Sequence, residues 1–263
     1  MADERSVLDD ESGSDPIGDR DLAAGSSPAE RTAVRVARRL QLSAAQVLWL
    51  TLTAGLLVLV AATAAAAAIY DSVSEADGVS LLDRPALDLV LSIRSPGLTG
   101  LAHVLAIVGG QFGMTVLATV VTLGLSWRFR SWTTVVLVGM TAAGSVAMTV
   151  VGKTLVGRVR PPLIDALPPF ESSPSFPSGH SLNAAAIAGI LAYVLVRWLD
   201  RLWQRVLTVA VATGFAALMG LSRVYLAQHW LTDVLVAWAL GVAWVSVVVM
   251  AHRVFLTLQR RRS

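Results

Sequence analysis

Long uninterrupted apolar runs constrain the fold of this chain more than any other feature. Hydrophobic residues make up 55% of the 263 residues and charged residues only 15%, a balance far from that of a soluble domain. Several runs reach the roughly 20 residues that a helix needs to cross the hydrocarbon core of a membrane. The sequence therefore predicts an all-α, polytopic membrane helix bundle. Cysteine is absent, which excludes disulfides, thiolate nucleophiles and cysteine metal sites.

Six runs have the composition of membrane-spanning helices. We expect spans at about Val47 to Tyr70, Phe112 to Trp127, Trp132 to Leu155, Gly179 to Trp198, Trp203 to Leu221 and Trp230 to Ala251. The apolar segment from Leu98 to Val108 is too short to cross alone. It is either an interfacial or re-entrant helix or the first half of a kinked helix that continues into the second span. We therefore expect one or two interfacial helices in the first outer loop.

The two ends of the chain differ in composition from the apolar middle. Residues 1–45 begin with a tail rich in Asp, Glu, Ser and Gly, which predicts a disordered cytoplasmic segment. No short apolar run opens the chain as in a signal peptide. The six-span domain is expected over residues 46–256, and residues 257–263 form a basic cytoplasmic C-terminus.

Arginine placement predicts the orientation of the bundle. Four arginine clusters all fall on one side of the six spans: Arg31, Arg35, Arg38 and Arg39; Arg128 and Arg130; Arg197, Arg201 and Arg205; and Arg253 with Arg260 to Arg262. By the positive-inside rule both termini are cytoplasmic, in a multi-pass plasma-membrane protein. The same side carries an aromatic belt of Trp49, Trp127, Trp132, Trp198 and Trp203. Because the basic residues flank apolar spans, we expect membrane lipids and no nucleic acid as partners.

The only lysine of the chain opens a cationic motif at the end of the third span. Lys153 lies seven residues before Arg160, and residues seven apart share a helical face. Pro161 is expected to end the span at Arg160, whose planar guanidinium can bind two phosphate oxygens. Arg158 lies on another helical face and is the weaker candidate. Basic residues at span ends also anchor helices to lipid headgroups, so this motif alone leaves both interpretations open.

Two further motifs carry the remaining chemistry. The run Pro177-Ser178-Gly179-His180 opens the fourth span, where backbone N–H groups can bind an anion and His180 can protonate a leaving oxygen; a plain turn before a helix is the alternative. Ser222-Arg223 ends the fifth span, and His229 and Asp233 follow four residues apart, stacked on one helical face. Asp233 can orient His229 as a nucleophile, or the pair can simply brace two helices.

Together, in this order, the motifs K-x6-R-P, P-S-G-H and S-R-x5-H-x3-D resemble the type-2 phosphatidic-acid phosphatase superfamily of membrane lipid phosphatases. The motifs extend from Lys153 to Asp233 without a substitution, and the six-span plan extends the resemblance over roughly residues 45–255. The resemblance implies that His229 is the nucleophile that forms a phosphohistidine, that Asp233 orients it and that His180 is the general acid. It assigns phosphate binding to Lys153, Arg160, Ser178, Gly179 and Arg223. The family uses no metal, and we expect no cofactor.

Other polar residues are weaker candidates. We interpret His103 as a hydrogen-bonded packing residue and His252 as interfacial charge. Asp165 and Glu171 are interpreted as solvated loop carboxylates, and Tyr225 and Trp230 as belt residues.

The function expected from the sequence is hydrolysis of a phosphomonoester or pyrophosphate on a lipid at the outer face of the membrane. Phosphatidic acid, phosphatidylglycerol phosphate and undecaprenyl pyrophosphate are the candidate substrates. A phosphotransferase that passes the phosphoryl group to another acceptor stays open. An anion transporter ranks lower because it needs ionisable residues along a path through the bilayer, whereas the third and fifth spans are apolar up to their outer ends.

Overall fold

A computed structural model describes residues 44–260, which form eight α-helices, one short 3-10 helix at Gly78–Leu82 and no strand. The helices are α1 (Ala44–Glu75), α2 (Asp83–Ser92), α3 (Pro96–Gly109), α4 (Gln111–Phe129), α5 (Thr133–Val156), α6 (Gly179–Trp198), α7 (Leu202–Tyr225) and α8 (Leu231–Arg260). The predicted all-α membrane bundle is confirmed. The predicted acidic tail lies outside the described residues, apart from its last two positions, and so do residues 261–263.

Six of the described helices, α1 and α4 to α8, are long and apolar enough to cross a membrane. The fourth predicted span, α6, begins and ends at the predicted residues. Helix α8 continues to Arg260, past the predicted domain end at residue 256. Residues 98–127 do not form one kinked helix, because Gly110 adopts an extended backbone with ψ 165° between α3 and α4. Two adjacent glycines disfavour helix continuation at this point.

Helix α6 lies at the centre of the bundle and packs against α5, α7 and α8. Its buried residues recur every third or fourth position at Ala184, Ile187, Ile190 and Val194. These side chains meet Leu137 and Val138 of α5, Met219 of α7 and Val248 of α8. The spacing is that of a helix with one face in a core, and it fixes both ends of α6 relative to its neighbours.

The outer surfaces of the spans are apolar, as a lipid-facing surface requires. On α1 alone Leu56, Leu57 and Val60 are each more than half exposed. Glycines allow close approach between spans: a Cβ at Gly144 of α5 would overlap the indole ring of Trp244 of α8. Small residues at helix contacts commonly allow this packing in membranes.

The bundle has two chemically different ends. We call the end formed by the C-termini of α5 and α7 and the N-termini of α6 and α8 the site end, and the other the opposite end. The opposite end carries exposed tryptophans, with Trp127 at 85% and Trp132 at 79% exposure. His252 lies there but is only 5% exposed, and its Nδ1 lies 2.9 Å from the Tyr193 hydroxyl. His252 is therefore packed inside the bundle at this end, and its interpretation as interfacial charge stays a prediction.

Candidate active site

Gly157 ends α5, and the segment that follows it carries two arginines of the site. Its φ of +60° is left-handed, and its N–H donates to the Lys153 carbonyl, which is a common way for a helix to end. Arg160 therefore lies in a loop, and the helical-face argument that paired it with Lys153 was wrong. The two cations converge by another route. Lys153 Nζ lies 2.8 Å and Arg160 Nη2 3.2 Å from the Ser173 hydroxyl.

Beyond Gly157 alternate side chains point the same way, as expected for an extended segment. Arg158 and Arg160 both face the bundle, whereas Val159 between them is 83% exposed. Arg158 donates to Asp233, and Arg160 lies 3.2 Å from His229 Nε2. The sequence argument placed Arg158 on another helical face because it assumed that the helix continued. Arg158 instead contacts one member of the His–Asp pair and Arg160 the other.

A carboxylate lies among the predicted phosphate-binding groups. Glu171 accepts a hydrogen bond of 2.7 Å from Arg160 and lies 3.6 Å from His180 Nδ1 and 3.7 Å from Arg223 Nη2. The interpretation of Glu171 as a solvated carboxylate was therefore wrong. Burial alone would raise the pKa of Glu171, but the charges of His229, His180, Arg160 and Arg223 outweigh burial and lower it. Glu171 is thus an anion held by the same groups that the motifs assign to phosphate.

Arg223 is a fully buried cation without hydrogen-bond partners among the described residues. Its exposure is 0%, and its Nε, Nη1 and Nη2 atoms all lack a partner. Buried polar groups are normally hydrogen-bonded, because an unpaired buried charge is costly. The Glu171 carboxylate lies 3.7 Å from this guanidinium and provides a counter-charge. A tetrahedral oxyanion has enough oxygens to serve Arg160 and Arg223 together.

His229 has a different kind of partner at each ring nitrogen. Nδ1 lies 3.4 Å from the Ser175 hydroxyl and 3.6 Å from Asp233 Oδ2, whereas Nε2 lies 3.2 Å from Arg160. An arginine can only donate, so Nε2 accepts and the proton belongs on Nδ1. Burial lowers the pKa of His229, and the nearby Asp233 opposes that shift without cancelling it. The imidazole is therefore neutral near pH 7 with its Nε2 lone pair directed toward the cations.

Asp233 is held by several donors. Its Oδ2 accepts from the Ser175 hydroxyl at 2.5 Å and from the Trp230 backbone N–H at 2.9 Å, and its Oδ1 accepts from Arg158 at 2.7 Å. Only Asp233 belongs to α8, since His229 precedes its first residue. The predicted stacking on one helical face was therefore wrong. The pair forms because Asp233, in the first turn, reaches back toward the preceding loop.

The P-S-G-H motif starts α6, as predicted. Ser178 is the N-cap residue, and its hydroxyl accepts from the Ser181 N–H and contacts the Ser181 hydroxyl. Its own N–H donates to the Asp233 carbonyl. Both polar groups of Ser178 are thus engaged within the fold, and its role as a phosphate ligand stays a prediction. Gly179 packs against Thr149, and His180 at the second helical position faces Glu171.

The predictions for polar and aromatic residues outside the motifs were only partly correct. Tyr225 is buried, with its hydroxyl 3.1 Å from the Ser95 N–H and 3.0 Å from the Thr99 hydroxyl, so its interpretation as a belt residue was wrong. Trp230 Nε1 donates to the carbonyl of Val159 and so stabilises the segment that carries Arg158 and Arg160. The Nε2 atom of His103 is buried and has no hydrogen-bond partner among the described residues, contrary to expectation.

Sequence reasoning missed Ser175, which contacts both His229 and Asp233, and Asp83, which contacts their neighbour Arg158. Asp83 at the start of α2 accepts from Arg158, and Ser175 bridges His229 and Asp233. Ser175 lies two residues before Pro177, the first residue of the P-S-G-H motif, and this proximity was a usable signal. Asp83 lies 70 residues before Lys153 among several other acids, and spacing alone gave no reason to select it.

Comparison with known proteins places this chain in a family. The family described as the PAP2 superfamily matches residues 132–255. Phosphatidylglycerophosphatase B of Bacillus subtilis is 35% identical over 157 residues, covering 57% of this chain and 72% of that protein. The chain therefore belongs to the PAP2 superfamily.

Solved structures agree on the fold. The crystal structure of a transmembrane PAP2-type phosphatidylglycerolphosphate phosphatase from Bacillus subtilis superposes with a TM-score of 0.62 at 30% identity, over 74% of this chain and 93% of that one. Aquifex aeolicus LpxE superposes with a TM-score of 0.53 at 22% identity, over 64% of this chain and 94% of that one. At this identity the second likeness shows the fold alone.

Proposed function

We propose that this member of the PAP2 superfamily hydrolyses a phosphate ester or pyrophosphate on a lipid through a phosphohistidine at His229. The observation that carries the proposal is the buried Arg223 guanidinium, which lacks hydrogen bonds among the described residues and faces the Glu171 carboxylate. Arg160 and His180 meet the same carboxylate. Substrate phosphate takes the place of this carboxylate, because it offers more oxygens and more charge to the same donors.

In the first half-reaction His229 Nε2 donates its lone pair to phosphorus. The N–P bond forms as the P–O bond to the lipid breaks, and the departing oxygen takes the proton of His180. His229 retains its Nδ1 proton and becomes cationic, which Asp233 at 3.6 Å stabilises. Arg160, Arg223 and Lys153 neutralise the charge on the equatorial oxygens, the main requirement of phosphoryl transfer.

In the second half-reaction water replaces the lipid. His180 takes a proton from the water, whose oxygen attacks phosphorus as the N–P bond breaks. The electron pair returns to Nε2, and inorganic phosphate leaves with His180 protonated again. Because the first step needs neutral His229, the rate falls on the acid side. The lowered pKa of His229 places that limb below the usual histidine value of about 6.5.

The substrate is proposed to be an anionic phospholipid phosphate such as phosphatidylglycerol phosphate. The name of the Bacillus relative, phosphatidylglycerophosphatase B, supports this choice. Phosphatidic acid and undecaprenyl pyrophosphate are the competing substrates. Arg128, Arg130, Arg197 and Arg201 lie at the opposite end of the bundle. The positive-inside rule therefore supports the proposal that the site end faces outward and that both termini are cytoplasmic.

The test is release of inorganic phosphate by the purified full-length protein in detergent, measured for each of the three lipids. We expect the highest kcat/KM for phosphatidylglycerol phosphate, unchanged activity with a chelator, and inhibition by vanadate. Protein denatured in detergent at alkaline pH should carry phosphate on His229, because the N–P bond of phosphohistidine is stable in base and hydrolyses in acid. Release that requires a divalent metal, or transfer of phosphate to an added alcohol with none to water, contradicts the proposal.

A further inference from the structure

A buried carboxylate from α2 is linked to the His229–Asp233 pair through Arg158. Asp83, the first residue of α2, is only 6% exposed although most acids of that segment are solvated. Its Oδ1 accepts from the Thr232 N–H at 2.8 Å, and its Oδ2 accepts from the Thr232 hydroxyl at 2.7 Å and from Arg158 Nη2 at 2.6 Å. Asp83 lies outside residues 132–255, which the family match covers.

Arg158 links Asp83 to Asp233. Its Nη1 donates to Asp233 Oδ1 at 2.7 Å and to the Thr232 hydroxyl at 2.8 Å, while its Nη2 donates to Asp83. The guanidinium of Arg158 also lies over the ring of Trp230, with 5.7 Å between the guanidinium carbon and the ring centroid. One planar cation thus bridges two carboxylates in a fixed geometry.

The charge of this group determines what Asp233 can do for His229. Two carboxylates and one guanidinium leave one net negative charge beside an imidazole that becomes cationic when it bonds to phosphorus. Without Asp83, Arg158 and Asp233 form a neutral pair, and the carboxylate stabilises the imidazolium less. The bridge also fixes Oδ1, so that Oδ2 is the oxygen that faces Ser175 and His229.

We propose that Asp83 is a positioning residue for the nucleophilic histidine, acting through Arg158 on Asp233. The inference rests on the proposed function of His229. Asp83 touches no predicted phosphate-binding residue, so its loss affects the chemical step and leaves substrate binding unchanged. Mutation of groups that orient metal-ligating side chains typically changes activity about 10- to 100-fold, and we expect a factor of that order for a group that orients the nucleophile.

Asp83→Asn tests the proposal, with Asp88→Asn as the matched control. Asp88 lies on the same helix, pairs with Arg84, and is 54% exposed. In detergent with a lipid phosphate, we expect Asp83→Asn to lower kcat about 10- to 100-fold with KM within about twofold of the original protein. The rate of phosphohistidine formation in a single turnover should fall by the same factor, and Asp88→Asn should change neither value. In an Arg158→Gln background, Asp83→Asn should add little further loss.

The proposal is overturned if Asp83→Asn raises KM and leaves kcat unchanged, or if Asp83→Asn is as active as Asp88→Asn. If Asp83→Asn does not fold, Asp83→Ser decides, because it also removes the charge and is smaller. A folded Asp83→Ser protein with unchanged kcat also overturns the proposal. His229→Ala is assayed alongside: an active His229→Ala protein refutes the phosphohistidine mechanism, whereas an inactive one with a fully active Asp83→Asn protein refutes only the role of Asp83.

Discussion

Two buried histidines lie at the two ends of α8 in similar local surroundings. His229 Nε2 lies 3.2 Å from an Arg160 nitrogen and its Nδ1 3.4 Å from a serine hydroxyl. His252 Nε2 lies 3.3 Å from an Arg197 nitrogen and its Nδ1 2.9 Å from a tyrosine hydroxyl. Exposure does not separate them either, at 1% and 5%.

The difference lies in what surrounds those first contacts. At the site end the serine hydroxyl also donates to Asp233, and Glu171 lies among Arg160, Arg223 and His180. At the opposite end the arginines pack on an aromatic ring, with Arg197 and Arg253 each within 6 Å of the Tyr193 ring centroid. Burial and an arginine neighbour are common to both histidines, so they do not single out His229. What distinguishes His229 is the convergence of charged side chains from separate segments of the chain.

Replacing each histidine gives the largest expected contrast. His229→Ala should lower kcat by about 10⁴-fold or more, because it removes the nucleophile itself. His252→Ala should leave kcat within about twofold and lower the melting temperature, because it leaves a small cavity and removes the hydrogen bond with the Tyr193 hydroxyl. Phosphate release and thermal unfolding in detergent measure the two effects. Equal losses of activity in both variants would remove the distinction between the two ends.

Replacing the arginine beside each histidine gives a smaller contrast. Arg160→Lys should lower kcat/KM about 10²-fold, because a lysine cannot make the bidentate contact with phosphate. Arg197→Lys at the opposite end should change kcat/KM less than about threefold. Initial rates over a range of lipid concentrations give both values. An Arg160→Lys protein with normal kinetics would show that this cation only anchors the loop.

The Glu171 carboxylate gives the smallest expected effect. Its ion pair with Arg160 is partly exposed, with the side chains at 24% and 13% exposure, and such pairs contribute up to about 1 kcal/mol. Glu171→Gln should therefore tighten inhibition by vanadate about fivefold, since the anion no longer displaces a carboxylate. The control is Asp165→Asn in the same loop, which should leave inhibition unchanged. Weaker inhibition in Glu171→Gln would mean that Glu171 orients the site and does not compete with phosphate.

The spans were predictable because their signal is local. An apolar run of about 20 residues specifies a membrane helix regardless of its neighbours, and α6 accordingly begins and ends where the sequence placed it. The motif residues also converge as predicted, with Arg160, His180 and Arg223 all within 3.7 Å of one carboxylate.

The reasons for that convergence were not predictable from periodicity. Helical spacing was applied to Lys153 and Arg160 and to His229 and Asp233, yet each pair straddles a helix end. Contacts between residues far apart in the sequence could not be predicted either, because periodicity reports only on nearby residues. Asp83 reaches Arg158 across 75 positions of chain, and neither residue has a local pattern that points to the other.

The left-handed Gly157 has a consequence for how this chain can vary. Arg158 and Arg160 face the same way only because one residue separates them in a nonhelical segment, and the backbone there is pinned by Ser175 and Trp230. Inserting or deleting a single residue between the two arginines would turn one of them toward Val159's side, away from its partner. We therefore expect the one-residue spacing between the two arginines to be essential, whereas the helical periodicity of α5 does not determine their orientation.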